Sequence, residues 1–347
     1  MSVARAARVA VLGATGYAGR ELITLLARHP AARLARLMSS GRDGQRYAPV
    51  EQSHPALRSI SEVPIQPLDI DDLTRSGVEL LFLATPHEAS LDIAPLLLER
   101  GIRAVDLSGA FRLKDAGLYP TWYGFDHNKP EALSEAVYGL PEMNATTIRD
   151  ARLVANPGCY ATSVILALAP LLQAGVVNLA SGIICDSKSG ASGAGRSLRD
   201  DLLFSNVNEN CSAYGLFKHR HIPEMLQALR LEESSFTFTP HLLPVTRGIL
   251  STIYLRLDRS AAPDDLVRIF GEFYAGAPLV RIYLDGNLPS LQSVAHTPYA
   301  DIGWALDAST GRLIVVSALD NLGKGAASQA VQNMNLMLGR AQDEGLR

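Results

Sequence analysis

Arg8-Val9-Ala10-Val11-Leu12-Gly13-Ala14-Thr15-Gly16-Tyr17-Ala18-Gly19 decides the fold of this chain. Arg8 to Leu12 predicts a short strand, and Arg20 to Arg28 carries a helical pattern. Between them stand three glycines spaced Gly-x-x-Gly-x-x-Gly. Glycines allow a tight turn and a close backbone approach to a pyrophosphate, whose charge then meets the N-terminus of the following helix. A glycine triplet alone is weak evidence. The strand before it and the helix after it supply the context the motif requires. The plain alternative is a tight strand-to-helix turn with no ligand. Gly13, Thr15, Gly16, Tyr17 and Gly19 are the candidate cofactor-binding residues of this turn.

Working outward, Leu34 to Met38 predicts the second strand. An acidic residue at its end would grip the ribose 2′-hydroxyl of NAD. The chain has Ser39-Ser40-Gly41-Arg42 there. Hydroxyls and a guanidinium suit a 2′-phosphate, so Ser39, Ser40 and Arg42 favour NADP(H); the alternative is a polar surface loop. Leu80 to Ala84, Ala104 to Leu107 and Arg152 to Ala155 are further short apolar runs, and His87 to Arg100 between two of them is helical in pattern. Strands alternating with helices predict an α/β fold with a Rossmann-type, doubly wound parallel sheet.

The 347 residues are enough for two domains with substantial cores. A hydrophobic fraction of 47% with 19% charged residues is globular composition. A net charge of -3 implies no bulk attraction to nucleic acid or anionic membrane. Val164 to Leu172, the longest apolar stretch, is interrupted by Pro170 and is too short to span a bilayer. No cleavage pattern follows Met1 to Arg8, so a signal peptide is not expected. Cys159, Cys185 and Cys211 are widely spaced without a Cys-x-x-Cys pair, which fits a reducing cytoplasm and argues against a structural zinc site.

Past the middle the texture changes. Ile183 to Asp186, Phe236 to Thr239, Gly248 to Leu257 and Ile302 to Leu306 predict strands of a mixed, largely antiparallel sheet in an α+β domain. Glycine- and serine-rich loops, notably Ser187 to Ser197, are expected between them. A boundary falls near Asn156. Gly323 to Leu338 predicts a helix with Ala326, Ala330, Met334 and Met337 on one stripe.

At that boundary stands Asn156-Pro157-Gly158-Cys159-Tyr160-Ala161-Thr162-Ser163. Asn-Pro-Gly is turn chemistry, so Cys159 is expected where a strand gives way to a helix. Unpartnered N–H groups and the macrodipole favour a thiolate there. The proton partner is sought in Lys218-His219-Arg220-His221-Ile222-Pro223-Glu224. Pro223 suits a first helical turn and Glu224 its positive end. A histidine near neutral pKa accepts a thiol proton and later returns it, and Glu224 is placed to orient the ring. A solvated basic loop, or a metal site from His219, His221 and Glu224, is the alternative; with no further ligand cluster nearby, no metal is expected.

Arg112 and Arg247 border apolar runs, where an unpaired guanidinium is costly, so each needs an anionic partner: either a substrate or a structural salt bridge. Ser187 to Arg196 reads either as an oxyanion or phosphate loop or as a connector. Cys185 and Cys211 are expected to be small buried hydrophobes. His29, His54, His87, His127, His241 and His296 show no convincing partner. A nucleophilic thiol beside a nicotinamide narrows the chemistry to acyl transfer and hydride reduction. Thiol attack on an acyl phosphate leaves a thioester, which is more electrophilic toward hydride than a carboxylate.

These motifs resemble those of the N-acetyl-γ-glutamyl-phosphate reductases, the arginine-biosynthesis branch of the semialdehyde dehydrogenase group. The likeness rests on Gly13 to Gly19, Asn156 to Thr162, Ser189 to Arg196, His219 to Glu224, His241 to Gly248 and Asn321 to Ala326. They run in family order over essentially the whole chain. The resemblance implies NADPH-dependent reduction of N-acetyl-γ-glutamyl phosphate to N-acetylglutamate 5-semialdehyde and phosphate, in the cytoplasm, by a homodimer or homotetramer. It implies Cys159 as nucleophile and the His-Arg-His-x-Pro-Glu stretch as acid/base segment, with His221 favoured over His219 for proton transfer. Arg112, Arg247, Ser108 and Ser189 are implied on the substrate, and Gly193 and Asn321 on the cofactor. It also implies a Rossmann domain over residues 1–156 and 320–347, where the C-terminal helix returns, and a catalytic and oligomerisation domain over 157–319. Asp106-Leu107-Ser108-Gly109-Ala110-Phe111-Arg112 departs from the family, whose members often carry an acidic residue before Phe-Arg.

Two other readings compete. The lysine-pathway relative reduces a carrier-protein-linked aminoadipyl phosphate and would call for a basic rim at the pocket. A non-catalytic NADP(H)-sensing protein would not need Cys159 with a histidine pair. Aspartate-semialdehyde dehydrogenase shares the chemistry but fits the His-Arg-His-x-Pro-Glu stretch poorly.

Overall fold

Among the described residues the named strands of the first half of the chain pair in parallel, beside one isolated antiparallel bridge, Ala48–Ile65; parallel sheets of this kind are covered on both faces. The computed structural model describes residues 5–39, 47–258, 262–284 and 286–347. It divides into two compact units, Met1–Gly158 with Ala326–Arg347, and Cys159–Gly325.

The first unit contains strands β1 (Ala7–Leu12), β2 (Ala32–Ser39), β3 (Ile65–Pro67), β4 (Leu80–Leu83), β5 (Arg103–Asp106), β6 (Val137–Tyr138) and β7 (Leu153–Ala155). Their spatial order is β3-β2-β1-β4-β5-β7-β6. The order reverses between β1 and β4, whose ends Leu12 and Leu83 lie side by side. In such sheets the crevice at that switch point is where ligands bind. The glycine turn leaves β1 there.

The unit is completed by the C-terminal helix. The single amphipathic helix expected over 323–338 is two elements: a π-helical turn, Gly323–Ala327, and an α-helix, Ser328–Met337. Ala330, Met334 and Met337 of the expected stripe are buried, and so are all ten residues of the helix Ser328–Met337. Its amides bond to the surrounding protein instead of facing water. Asn333 donates to Gly139 O (2.8 Å) and to Asn156 Oδ1 (3.0 Å), and Gln332 donates to Glu142 Oε1 (3.1 Å).

The second unit carries β8 (Ile183–Gly190), β9 (Ser212–Ala213), β10 (Phe236–Leu243), β11 (Ile249–Arg256), β12 (Val280–Ile282), β13 (Ala300–Asp307) and β14 (Arg312–Leu319), in the order β12-β13-β14-β11-β8-β10-β9. The β8–β10 and β12–β13 pairs are parallel and the other four antiparallel. β14, absent from the expected strands, is central and pairs along its whole length with β11 and β13. The loop expected from Ser187 begins only after Gly190, because Ser187 to Gly190 continue β8 against β11.

Across this sheet lies the helix Cys159–Gln173, buried from Tyr160 to Leu171. Ser163 donates a hydrogen bond from Oγ within a hub that includes Ser251 (2.9 Å) and Ser317 (3.1 Å), and Ser187 and Ser251 share a further bond at 2.7 Å. All four hydroxyls are buried. Among the described residues no helix is long and apolar enough to cross a membrane.

Candidate active site

The glycine turn of the first unit is shaped by two of its glycines. Gly13 has φ +89°, a backbone state that disfavours side chains, and a Cβ there would stand 2.2 Å from Ala84 O. A Cβ on Gly19 would stand 2.3 Å from Gly13 O, so the helix packs on the turn only through glycine. Gly16 differs: its Cβ would meet only Gly13 O, at 3.4 Å. Internal packing therefore does not require glycine at this position. Gly16 caps the helix Tyr17–Leu26 with no side-chain hydrogen bond and no acidic residue in the first turn. An uncapped N-terminus reached by bare backbone suits a pyrophosphate, and Thr15 and Tyr17 flank it. Gly13 and Ala14 donate their N–H groups to Met38 O (2.9 and 3.0 Å), tying the turn to β2. Ser39, buried, closes β2, whereas Ser40 and Arg42 lie outside the described residues.

Past β5, Asp106 organises its own loop. Its carboxylate accepts from Ser108 N (3.0 Å) and Ser108 Oγ (2.8 Å), and Ser108 Oγ accepts from Ala110 N (3.1 Å). Burial pushes the Asp106 carboxyl up, opposed by the Ser108 bonds and the Arg112 charge. Arg112 is buried and donates from Nε to Asn156 O (2.8 Å) and from Nη2 to Leu107 O (2.8 Å). It holds the Asn-Pro-Gly turn that leads into Cys159.

Cys159 opens its helix and is partly exposed. Tyr160, next in the chain, organises the imidazoles. Its ring meets His219 and His221 edge-on, with centroids 5.4 and 6.2 Å apart, and Phe238 at 5.3 Å. Its hydroxyl donates to His241 O (3.1 Å) and accepts from Tyr214 (3.3 Å). Burial raises the phenol far above its ordinary value, so it stays protonated. The two imidazoles stand 4.8 Å apart.

His219 Nδ1 accepts from His221 N (3.1 Å), so its neutral ring carries the proton on Nε2. Burial, with the Arg220 charge, lowers His219 to about 4, and at neutral pH it is an uncharged donor. His221 is buried at the start of the helix Ile222–Leu229, with Pro223 in the first turn. Glu224 is fully buried one turn on.

Ser189, near the end of β8, comes together with Gly193, Asn321 and Arg247. Ser189 Oγ donates to Gly190 O (3.0 Å), and a Cβ on Gly193 would lie 3.2 Å from Ser189 Oγ and 3.6 Å from Asn321 Nδ2. Asn321 accepts from Gly248 N (2.7 Å) and donates to Ser192 Oγ (3.0 Å). Arg247 forms a buried ion pair with Asp320 at 2.9 Å. The carboxylate also accepts from His296 N (2.6 Å) and Leu322 N (2.9 Å).

Sequence reasoning assigned no role to Tyr160, Asp320, Lys324 or Gly325. Tyr160 is an aromatic next to the nucleophile candidate, and Lys324 is a fully buried lysine between two glycines. Four of the histidines without expected partners bond to the backbone. His29 Nε2 lies 2.8 Å from Glu344 O, His54 Nε2 2.8 Å from Ala14 O and His127 Nε2 2.9 Å from Ala110 O, while His87 Nδ1 accepts from Gly109 N at 2.8 Å. Cys185 is buried, its thiol pushed up to about 12, but Cys211 is exposed beside the edge strand β9 and is not the buried hydrophobe expected. Among the described residues no three His, Cys, Asp or Glu side chains gather for a metal ion.

A parallel dinucleotide-type sheet, joined in sequence to a mixed sheet whose first helix begins at a cysteine, defines the semialdehyde dehydrogenase class. The family models agree: the semialdehyde dehydrogenase NAD binding domain matches residues 8–151, and the semialdehyde dehydrogenase dimerisation domain matches 159–321. The chain is similar in fold to aspartate semialdehyde dehydrogenase II of Vibrio cholerae in complex with ASA (TM-score 0.70, 17% identity, covering 97% of this chain and 99% of that one). It is similar likewise to the NADP-bound aspartate semialdehyde dehydrogenase of Candida albicans (TM-score 0.69, 14% identity, 97% and 99%).

Curated relatives narrow the class. A protein of Pelotomaculum thermopropionicum called N-acetyl-gamma-glutamyl-phosphate reductase is 46% identical over 98% of both chains. One of the same name from Geobacter metallireducens is 48% identical over 97% of both. The chain belongs to the N-acetyl-gamma-glutamyl-phosphate reductase family, and its residues 8–151 match a nicotinamide-dinucleotide-binding domain.

Proposed function

We propose that the chain reduces N-acetyl-γ-glutamyl phosphate to N-acetyl-L-glutamate 5-semialdehyde and phosphate with NADPH, through a thioester on Cys159. The observation that carries this reading is 46% identity, over 98% of both chains, to a relative of that name. The site chemistry supports it. Cys159 Sγ attacks the acyl carbonyl, and the C–O bond to phosphate breaks as inorganic phosphate leaves. The cofactor, when bound, supplies hydride to the thioester carbonyl. The resulting thiohemiacetal loses Sγ to give the aldehyde, and the thiol regains its proton. His221 carries that proton, with Glu224 orienting it. His219, uncharged near neutrality, donates from Nε2 to the substrate. The anionic ends of the substrate fall to Arg112 and Arg247, with Ser108 and Ser189 as hydroxyl partners. Gly13, Thr15, Gly16, Tyr17 and Gly19 hold the pyrophosphate, Gly193 and Asn321 the nicotinamide end, and Ser39, Ser40 and Arg42 the 2′-phosphate. Residues 1–156 with 320–347 act as the NADP domain and 157–319 as the catalytic and oligomerisation domain.

The enzyme works as a homodimer or homotetramer through the second unit. By strand alternation Ile184, Tyr254 and Ile314 stand on the sheet face opposite the Cys159 helix, 52%, 42% and 37% exposed, beside a groove of about 660 Å³. An apolar face of this kind is covered by a second copy, and the matched dimerisation model spans this region. Tyr254→Glu is expected to lower the mass seen in sedimentation.

The deciding assay is phosphate-dependent NADP⁺ reduction with N-acetylglutamate semialdehyde against aspartate semialdehyde. Strong preference for the former is expected; preference for the latter overturns the substrate assignment.

A further inference from the structure

Gly325 has no need of glycine's backbone freedom, because its φ lies outside the left-handed region. It needs the missing side chain. A Cβ there would stand 2.7 Å from Cβ of Cys159, 3.1 Å from Leu319 Cδ1 and 3.2 Å from Asp320 O. Carbon atoms rest at roughly 3.5 to 4.0 Å, so the backbone of residue 325 already forms a wall against the nucleophile's own side chain.

The wall is anchored. Gly325 sits in the π-helical turn Gly323–Ala327, a rare geometry that is frequent at functional sites. Gly323 and Gly325 donate their N–H groups to Asp320 O (3.1 and 2.9 Å). The fully buried Asp320 carboxylate accepts from Leu322 N (2.9 Å), Gly323 N (3.2 Å) and His296 N (2.6 Å), and pairs with Arg247 at 2.9 Å. The other side is fixed as well. Beyond Cys159 the helix is largely apolar, and apolar contacts are non-directional. Directional contacts come from Ser163, four residues after Cys159, through its bonds to the strand serines, and from Tyr160 through its bond to His241 O (3.1 Å).

We infer that Gly325 is a positioning residue for Cys159: the Arg247–Asp320 pair fixes the π-turn, and the turn fixes where the thiol stands at the start of its helix. Arg247 therefore acts on the thiol through the protein, in addition to any contact with substrate. The inference rests on Cys159 being the nucleophile.

The test compares Gly325→Ala with Gly303→Ala. A Cβ at Gly303 would also meet an obstacle at 2.7 Å (Asn287 O), but on β13 and with no assigned part in the chemistry. Turnover, KM, NADPH affinity and the pH profile of Cys159 alkylation without substrate are measured. Gly325→Ala is expected to lower kcat by about 10²-fold, the scale of an ångström-sized misplacement. KM and NADPH affinity are expected to stay near wild type, and the alkylation midpoint to move to higher pH. Gly303→Ala is expected to keep the wild-type kcat and alkylation profile. Wild-type kcat and alkylation in Gly325→Ala overturns the inference, as does an equal loss of kcat in both variants. If Gly325→Ala does not fold, Asp320→Asn, which removes the charge from the anchor, is scored by alkylation alone, and an unchanged profile overturns the inference. If wild type reduces no acyl phosphate while Gly325→Ala still shifts the alkylation profile, the functional reading fails and the positioning role stands.

Discussion

In the first unit the site is made of backbone. Gly13, Gly16 and Gly19 present bare main chain at a helix N-terminus, and His54 bonds Ala14 O of that turn, while Arg112 bonds the main chain of other segments, at Leu107 O and Asn156 O. In the second unit the site is made of side chains. Tyr160, His219, His221 and Phe238 pack ring on ring, and Arg247, Asp320, Asn321 and Ser192 bond across loops. A backbone site binds one ligand shape and tolerates no added volume. A side-chain site sets protonation states, as the contrast between half-buried His219 and an ordinary imidazole indicates. Pyrophosphate binding and proton transfer are therefore expected to be separable by mutation.

The largest expected effect belongs to the side-chain site. His221→Asn is expected to lower kcat by roughly 10²- to 10⁴-fold, the usual contribution of a general acid/base, with little change in NADPH affinity. His219→Asn, losing one hydrogen bond to substrate, is expected to cost about tenfold. Steady-state kinetics check both, and the opposite order would exchange the two assignments.

In the backbone site, Gly16→Val is expected to weaken NADPH binding on the order of a hundredfold, equivalent to about 2.7 kcal/mol, while leaving thermal stability near wild type. Gly19→Val is expected to lose stability, because its side chain runs into Gly13 O. Fluorescence titration and thermal melts separate the two. Equal melting losses would sink the proposal that Gly16 serves the ligand.

Arg42→Ala is expected to weaken NADPH by about 10- to 100-fold, the value of a charge-assisted hydrogen bond, and NADH hardly at all. Equal loss of both would remove the 2′-phosphate assignment.

The smallest effect is on stability. A histidine whose folded pKa is lowered binds its proton more readily when unfolded, so its contribution is present at neutral pH and lost as pH falls below about 6.5. For His219 the loss runs down to about pH 4. At pH 5 it amounts to about 1 to 2 kcal/mol. His219→Asn is expected to flatten the denaturation-derived stability curve between pH 7 and 5, with a residual slope from His29 and His127, which burial also lowers. An unchanged slope would mean that His219 is not desolvated.

The same comparison explains what the chain's sequence reveals. The glycine turn and the parallel runs are local: the residues that determine them are neighbours, so β1, the turn and its helix can be read directly. Cys159 at a helix start follows from Asn156-Pro157-Gly158 for the same reason. The serine hub is not local. Ser163, Ser187, Ser251 and Ser317 come from four elements, and no spacing announces that they meet. Arg247 illustrates the limit: its flanking apolar residues predict a partner anion, but Asp320, 73 residues away, is visible only in the fold. The burial of the polar residues of Ser328–Met337 is not legible for the same reason, because their partners lie on other elements and on the C-terminal tail.

The central claim is that Cys159 holds the acyl group. Intact-protein and peptide mass spectrometry of the enzyme mixed with N-acetyl-γ-glutamyl phosphate, without NADPH, tests it most directly. The expected result is one N-acetylglutamyl adduct on the peptide bearing Cys159, discharged when NADPH is added and absent in Cys159→Ser. An enzyme that turns over yet shows no adduct under rapid quench, or carries it on Cys185 or Cys211, would contradict the account.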